Sequence, residues 1–266
     1  MKALRAYLAV ARGNFMVGIV YRFGFLFNIF GNILYMVVVY YLWHSIYGSA
    51  ETLRGLTFNE TFTYVSLGSA VFILLKTYAD WQISYEIREG LVTNYLTKPI
   101  DYELYNLAAS LGAGLVNLAA ITLPTVLMLT LVFKVPILIG PGLFLFPVSL
   151  LLAFLISFNF DFMVGTACFY SESIWGISIT KEILISVMSG ALIPLQFFPA
   201  VVQKILMLLP FQAIYYTPLM MITRPQQAWS ELLVMLAVQV MWFVVTYLLS
   251  RLFFSKAIKV LRVAGG

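Results

Sequence analysis

The chain has little of the chemistry on which most enzymes depend. Its 266 residues include one cysteine, one histidine and 11 scattered carboxylates, and charged residues make up only 10% of the total. A single cysteine excludes an intramolecular disulfide and a metal site built from cysteines. The patterns G-x-x-x-x-G-K-[ST], G-x-S-x-G and H-E-x-x-H are also absent. We therefore expect a protein that is not an enzyme and holds no metal or cofactor of its own.

Apolar residues are abundant instead. They make up 62% of the chain, and the mean hydropathy is +0.95, values typical of an integral membrane protein. The net charge of +5 could suggest nucleic acid as a partner. However, the basic residues lie in the gaps between apolar runs, where they set membrane topology. We expect lipid as the surroundings and no nucleic acid.

Six apolar segments are predicted to cross the membrane as helices, which makes the fold an all-α membrane protein. Each is long enough for a hydrocarbon core of about 30 Å, since a helix rises about 1.5 Å per residue. The six spans are residues 24–47, 58–78, 104–133, 142–170, a fifth that begins near Ile174, and 232–251. Pro124 is expected to kink the third span.

The first 23 residues predict an amphipathic helix that lies along the membrane surface. One helical face is apolar and the opposite face is basic, as expected for a helix at the headgroup level. The apolar face holds Leu4, Leu8, Ala11, Phe15 and Ile19, and the basic face holds Lys2, Arg5 and Arg12. An ordinary helix on the aqueous side is the alternative interpretation.

Residues 190–224 are apolar but contain Pro194, Pro199, Pro210 and Pro218, too many breaks for a straight spanning helix. Two short helices, at 200–209 and 213–223, fit better. They would form a re-entrant hairpin between spans five and six, which requires its free backbone groups to be buried in protein or water. The alternative is one strongly kinked span.

The distribution of Lys and Arg supports six crossings with both termini in the cytoplasm. Of the 16 cations, only Arg54, Lys134, Lys204 and Arg224 fall on the opposite side, which leaves 12 on the cytoplasmic side. The chain is then one domain, 1–266, with an interfacial helix at 1–23, a core at 24–251 and a basic cytoplasmic tail at 252–266.

Residues 86–101, between spans two and three, form the densest cluster of charge in the chain. Gly90 interrupts the helix, and Pro99 disfavours helix at Lys98, so a short helix over 91–97 is predicted. The segment 86–101 is either a solvated loop or a surface that docks on another protein. The candidate docking residues are Arg88, Glu89, Leu91, Tyr95, Leu96 and Lys98.

Spans two and five each carry a small, mildly polar face. These faces either line a pathway at a dimer axis or pack the helices of one subunit together. Their residues are Asn59, Thr63 and Ser66 on span two and Ser178, Ser186 and Ser189 on span five.

Asp161 lies within span four, where an unpaired carboxylate is costly. We predict that it pairs with Lys181 on the returning helix, with Asn159 and Lys76 as competing partners. Alternatively, hydroxyl groups of the spans bond the carboxyl, which is then partly neutralised. A role in proton or substrate movement is a third reading.

Two motifs in this order, R-E-G-x-x-x-x-x-L-x-K-P-x-D at 88–101 and G-x-x-x-P-x-x-x-F-P at 190–199, together with the predicted spans, resemble the type-2 ABC-transporter permeases. The resemblance implies an exporter subunit of the cell membrane that pairs with a second copy or a homologous permease. It also implies that each permease rests on a cytoplasmic ATPase subunit, and that ATP and Mg bind to that ATPase dimer.

In such permeases the loop after span two is a coupling helix, spans two and five line the pathway, and the re-entrant hairpin caps it. Those roles would fall on residues 88–98, on the two polar faces and on 190–223. A secondary transporter or channel without an ATPase, and a membrane-embedded enzyme, are the alternatives. Drugs, peptides, lipids and polysaccharides all stay open as substrates.

Overall fold

The computed structural model describes residues 2–20, 23–135 and 139–260, and these are helical apart from one short hairpin and the turns. In chain order the helices are α1 Lys2–Val20, α2 Phe23–Tyr47, α3 Phe58–Leu75, α4 Ala79–Arg88, α5 Val92–Leu96, α6 Tyr102–Asn117, α7 Leu123–Leu131, α8 Pro141–Thr166, α9 Trp175–Met188, α10 Ala200–Leu208, α11 Tyr216–Thr223 and α12 Trp229–Ala257. Of the predicted features, Arg22 and the end of the basic tail, 261–266, lie outside the described residues.

Within the described ranges, five helical stretches are long and apolar enough to cross a bilayer. They are Phe27–Tyr47, Phe58–Arg88, Tyr102–Leu131, Pro141–Phe169 and Trp229–Val260. These correspond to the predicted spans one to four and the last span. The prediction of an all-helical, multi-pass membrane protein is therefore confirmed.

The predicted fifth span is shorter than expected. Its helix, α9, has 14 residues, or about 21 Å, which is less than the core of about 30 Å. Gly190 follows it with a positive φ of +81°, and the hydroxyl of Tyr64 donates to the Gly190 carbonyl oxygen at 2.9 Å. The helix therefore ends inside the protein, against α3.

The proline-rich segment after α9 does form two short helices, α10 and α11, close to the predicted bounds. Pro199 directly precedes α10, and Pro210 begins a short 3-10 turn, Pro210–Ala213, that separates the two helices. Nearly all of α11 is buried, in contact with α3, α8 and α12. Helix α10, in contrast, is largely exposed, with Val201 at 72% and Leu208 at 75%.

Pro124 disturbs the third long helix, as predicted. A π-helical turn, Leu118–Thr122, separates α6 from α7 directly before the proline. Proline lacks an N–H and its ring crowds the carbonyl four residues earlier, so the extra residue in the turn relieves both problems.

The amphipathic helix α1 lies against α6 with a side that includes Ala11 of the predicted apolar face. A Cβ atom at Gly112 would meet the carbonyl oxygen of Ala11 at 2.1 Å, so only glycine permits this approach. Near the start of α6, the backbone N–H of Asp101 donates to the Tyr7 hydroxyl at 2.9 Å. Leu4 and Leu8, on the predicted apolar face, stay exposed and free to contact lipid.

Buried polar side chains join the long helices. Asn32 on α2 donates to the Thr125 hydroxyl at 2.7 Å and accepts a hydrogen bond from Ser69 at 2.8 Å. Gln239 on α12 accepts from Ser149 and donates to the carbonyl oxygen of Ala213, both at 2.8 Å. Each amide is satisfied, so these groups fix how the helices pack without leaving an unpaired dipole.

A two-stranded hairpin, β1 Thr52–Leu53 and β2 Leu56–Thr57, joins α2 to α3 where the sequence suggested a loop. Arg54 and Gly55 at its tip both have positive φ, as tight hairpin turns of this length require. Thr57 then caps α3: its hydroxyl accepts from the Glu60 N–H, and the Glu60 carboxylate accepts from the Thr57 N–H.

Candidate functional site

A break in the second long helix creates the first part of the site. The helix stops at Leu75, and Tyr78 has a positive φ of +53° before α4 begins. Lys76, within the break, pairs with Glu182 of α9, and Thr77 donates to the carboxylate of Asp161. The residues of the break thus place polar groups in contact with α8 and α9.

Three charged side chains, Asp80, Asp161 and Lys181, form what we call the ion cluster. The Lys181 ammonium contacts Asp161 and lies 2.8 Å from Oδ2 of Asp80. Asp80 and Asp161 are 2% and 5% exposed, and the hydroxyl of Ser178 donates to Asp80. The cluster therefore joins α4, α8 and α9 at one point.

The structure thus brings Asp161 and Lys181 together, while the two competing partners are used elsewhere. Lys76 pairs with Glu182, and Asn159 donates to the Thr246 hydroxyl at 3.1 Å. Sequence reasoning missed Asp80 because it ended the second span at Tyr78 and placed the next residues in water. The polar run at 76–80 could have revealed a second carboxylate.

Close packing explains how these groups reach one another. A Cβ atom at Gly165 on α8 would lie 3.0 Å from the Cα and carbonyl oxygen of Asp80, so the backbones of α8 and α4 approach each other closely there. A cavity of about 40 Å³ adjoins the ion cluster, enough for a few water molecules. Burying two carboxylates with one ammonium leaves a net negative charge that relies on these hydrogen bonds.

The coupling segment, residues 88–98, has a firm attachment to the bundle. Gly90 has a φ of +70° and ends α4, and the short helix α5 follows. Val92 of α5 is fully buried against a second apolar core that includes Ile83 and Phe162. Sequence reasoning missed this residue, which fixes the position of α5.

The six predicted docking residues divide into two groups. Arg88, Glu89, Leu91 and Lys98 are exposed and free to contact another protein. Tyr95 and Leu96, in contrast, are partly buried against the second apolar core of the chain itself. This packing is expected, because α5 is too short to stay folded without burying part of its surface. The contact of Tyr95 and Leu96 with a partner stays a prediction.

Tyr95 is attached to the start of α6. Its ring lies 4.6 Å from that of Tyr105, and the two hydroxyls are 3.3 Å apart. This hydrogen bond, together with burial, raises the pKa of the Tyr95 hydroxyl. Arg251 of α12 pairs with Asp101 and with Glu103 at 2.8 Å, which holds the other end of the segment.

The six predicted pathway residues, three on span two and three on span five, lie in different surroundings within the chain. Ser66, Ser178 and Ser189 are buried in the bundle, at 0%, 1% and 0% exposure. Helix packing covers them: Ser178 bonds Asp80, and the Ser189 hydroxyl accepts from the Ala191 N–H at 3.2 Å. For these three, the alternative of packing within one subunit describes their place in the fold.

The remaining three residues line a cavity and a separate groove. Asn59 and Thr63 line an apolar cavity of about 180 Å³ between α3, α7, α8 and α11. Ser186 lines a groove of about 410 Å³ between α3 and α9, where Gly68 and Phe72 form the opposite wall. Spans two and five therefore share a groove within the chain, and the pathway role of these residues stays a prediction.

No group of three or more His, Cys, Asp or Glu side chains within the described ranges is arranged to hold a metal ion. The single cysteine, Cys168, is buried and accepts a hydrogen bond from the Ser84 hydroxyl at 3.3 Å.

Five apolar helical stretches long enough to cross a bilayer, within the described residues, define a multi-pass membrane protein. The family model for ABC-2 family transporter proteins matches residues 33–265. The chain therefore belongs to the ABC-2 transporter family and is a membrane component of a transporter, as the resemblance to type-2 ABC permeases predicted. No curated protein sequence matches it.

Proposed function

We propose that this chain is the permease subunit of an ATP-driven exporter, and that two such subunits form the pathway. The coupling segment carries the proposal. Arg88 and Glu89 are exposed at the end of α4, and Leu91 and Lys98 are exposed on either side of α5. The fully buried Val92 fixes α5 in place. An exposed charged surface on a fixed support suits the transfer of movement from a cytoplasmic ATPase dimer, which supplies the ATP and Mg.

The proposed topology has six crossings. The short helix α9 is the fifth, α10 and α11 form a re-entrant hairpin, and α1 lies at the cytoplasmic surface with both termini. Support comes from Arg224 at the end of α11, which pairs with Glu60 at the start of α3 at 2.8 Å. The charge count assigns Arg224 to the non-cytoplasmic side, and the pair places both helix ends at one level.

Charge reversal tests the coupling. Arg88→Glu with Glu89→Arg is expected to reduce co-purification of the co-expressed ABC-type ATPase by about tenfold, because exposed interface charges select the partner. The matched control is Glu51→Arg with Arg54→Glu, an exposed pair in the opposite loop. Unchanged ATPase binding and unchanged export in the first variant would contradict the proposal, and export from ATP-depleted vesicles would favour a secondary transporter.

Single cysteines test the topology in a Cys168→Ser background. A membrane-impermeant thiol reagent added to intact cells is expected to label Ser49→Cys and Gln203→Cys, but not Ser173→Cys or Ser255→Cys. Labelling of Ser255→Cys from outside would show that α9 to α11 include a further crossing or that α9 does not cross.

A further inference from the structure

A second cavity, of about 440 Å³, lies between α1, α4 and α6 and takes no part in the proposed coupling. Its size falls in the range of small-ligand sites, about 300–1,000 Å³. Unlike the apolar cavity lined by Asn59 and Thr63, this cavity is lined by many polar side chains. Among those that line it are Asn14, Gln82, Glu86, Asn106 and Ser110.

Among the residues that the structure describes, Glu86 is the only charged side chain that lines this cavity. It is 3% exposed, and its two carboxylate oxygens accept from Gln82 at 3.0 Å and from the Tyr102 hydroxyl at 2.6 Å. None of the ion pairs in the described part of the chain includes it. The other two buried carboxylates of α4 and α8, those of Asp80 and Asp161, both form ion pairs with Lys181. Two neutral donors do not offset a buried negative charge, so a cation is the missing partner.

The walls of the cavity indicate which cation fits. Trp81 and Tyr78 supply aromatic rings at its edge, and both are exposed, at 39% and 57%. Asn106 donates through Nδ2 to the carbonyl oxygen of Tyr102 at 2.9 Å, so its Oδ1 serves as an acceptor. One carboxylate is too few for a divalent metal, whereas one carboxylate, a neutral acceptor and aromatic rings match an organic ammonium group.

We propose that this cavity binds an ammonium group, with Glu86 as the counter-charge and Trp81 as the aromatic wall. The group belongs either to a lipid headgroup or to a free organic cation. This site does not depend on the proposed export function, because its test is binding to the purified protein alone.

The test has two arms on purified wild-type protein. In the first, protein from nanodiscs with equal phosphatidylethanolamine and phosphatidylglycerol is analysed by native mass spectrometry for retained lipid. In the second, equilibrium dialysis measures binding of radiolabelled tetramethylammonium. Glu86→Gln keeps the shape and one accepting oxygen, and its amide NH2 can donate to the Tyr102 hydroxyl oxygen, but it removes the charge. It is therefore expected to weaken binding of whichever probe the wild type binds by about tenfold or more.

Glu172→Gln, which removes one exposed carboxylate elsewhere, is the matched control and is expected to bind like wild type. Trp81→Leu provides a second variant if Glu86→Gln fails to fold, with a smaller expected loss, about threefold. Retention of phosphatidylethanolamine identifies a lipid site, and binding of tetramethylammonium identifies a free-cation site. The proposal is overturned if wild type binds neither probe, or if binding survives both substitutions.

Discussion

The bundle holds its charges differently at its two ends. At the α4 end, the ion cluster sets two buried carboxylates against one lysine, with hydroxyl groups as additional donors. The other end, where the β1–β2 hairpin meets the start of α3, is called the hairpin end. There Glu60 and Arg224 form a one-to-one pair whose side chains are 25% and 32% exposed. The comparison shows what decides the loss of stability when one partner is removed. The loss depends on how many charges are present and how deeply they are buried, not simply on whether an ion pair forms.

The largest effect is expected from Lys181→Met. It removes the only cation of the ion cluster and leaves Asp80 and Asp161 facing each other. We expect a loss of about 3 kcal/mol or more, typical of a buried pair left uncompensated. Heat challenge of the detergent-purified protein, followed by size-exclusion chromatography, measures it. Wild-type heat resistance in Lys181→Met would show that the carboxylates do not need the lysine.

Asp161→Asn is expected to cost less, about 1–2 kcal/mol, because Lys181 keeps Asp80 as its partner. The same assay applied to the double variant Asp161→Asn with Lys181→Met sharpens the test. It should lose less than the sum of the two single variants, since only one unpaired carboxylate remains. Additive losses would mean that the two residues do not interact.

At the hairpin end, Arg224→Gln should cost about 1 kcal/mol, because solvent screens a pair that is a third exposed. The guanidinium also donates to the Gly55 carbonyl oxygen, so part of the loss belongs to the hairpin. Addition of salt should narrow the difference between wild type and this variant, and a loss as large as that of Lys181→Met would erase the contrast between the two ends.

The smallest effect is expected from Thr57→Ala, which removes the capping hydroxyl of α3 beside the same Glu60. An exposed cap of this kind contributes about 0.5 kcal/mol, at the low end of the usual range. The measurement is the heat challenge used above, with Thr52→Ala in the adjacent strand as the control. A greater loss than for Arg224→Gln would make the cap, not the ion pair, the main support at this end.

Hydropathy located five of the long helices, and the prolines located α10 and α11, because apolar length and backbone breaks are local properties of the chain. The Asp161–Lys181 contact also followed from local information, the length of one helical hairpin. The depth of Ser66 and Ser178, the anchoring of Val92 and the position of Asp80 depend on which helices touch. Helical spacing alone does not fix the rotation of a helix that is apolar on every side.

The break before α4 has a mechanical consequence. Asp80, the second residue of α4, is about 3 Å from this pivot, whereas the last of the helix's 10 residues is about 15 Å away. The helix is thus a lever with a short arm gripped by α9 and a long arm that ends at the coupling segment. A rotation of the whole helix about this point would move its last residue about five times as far as Asp80.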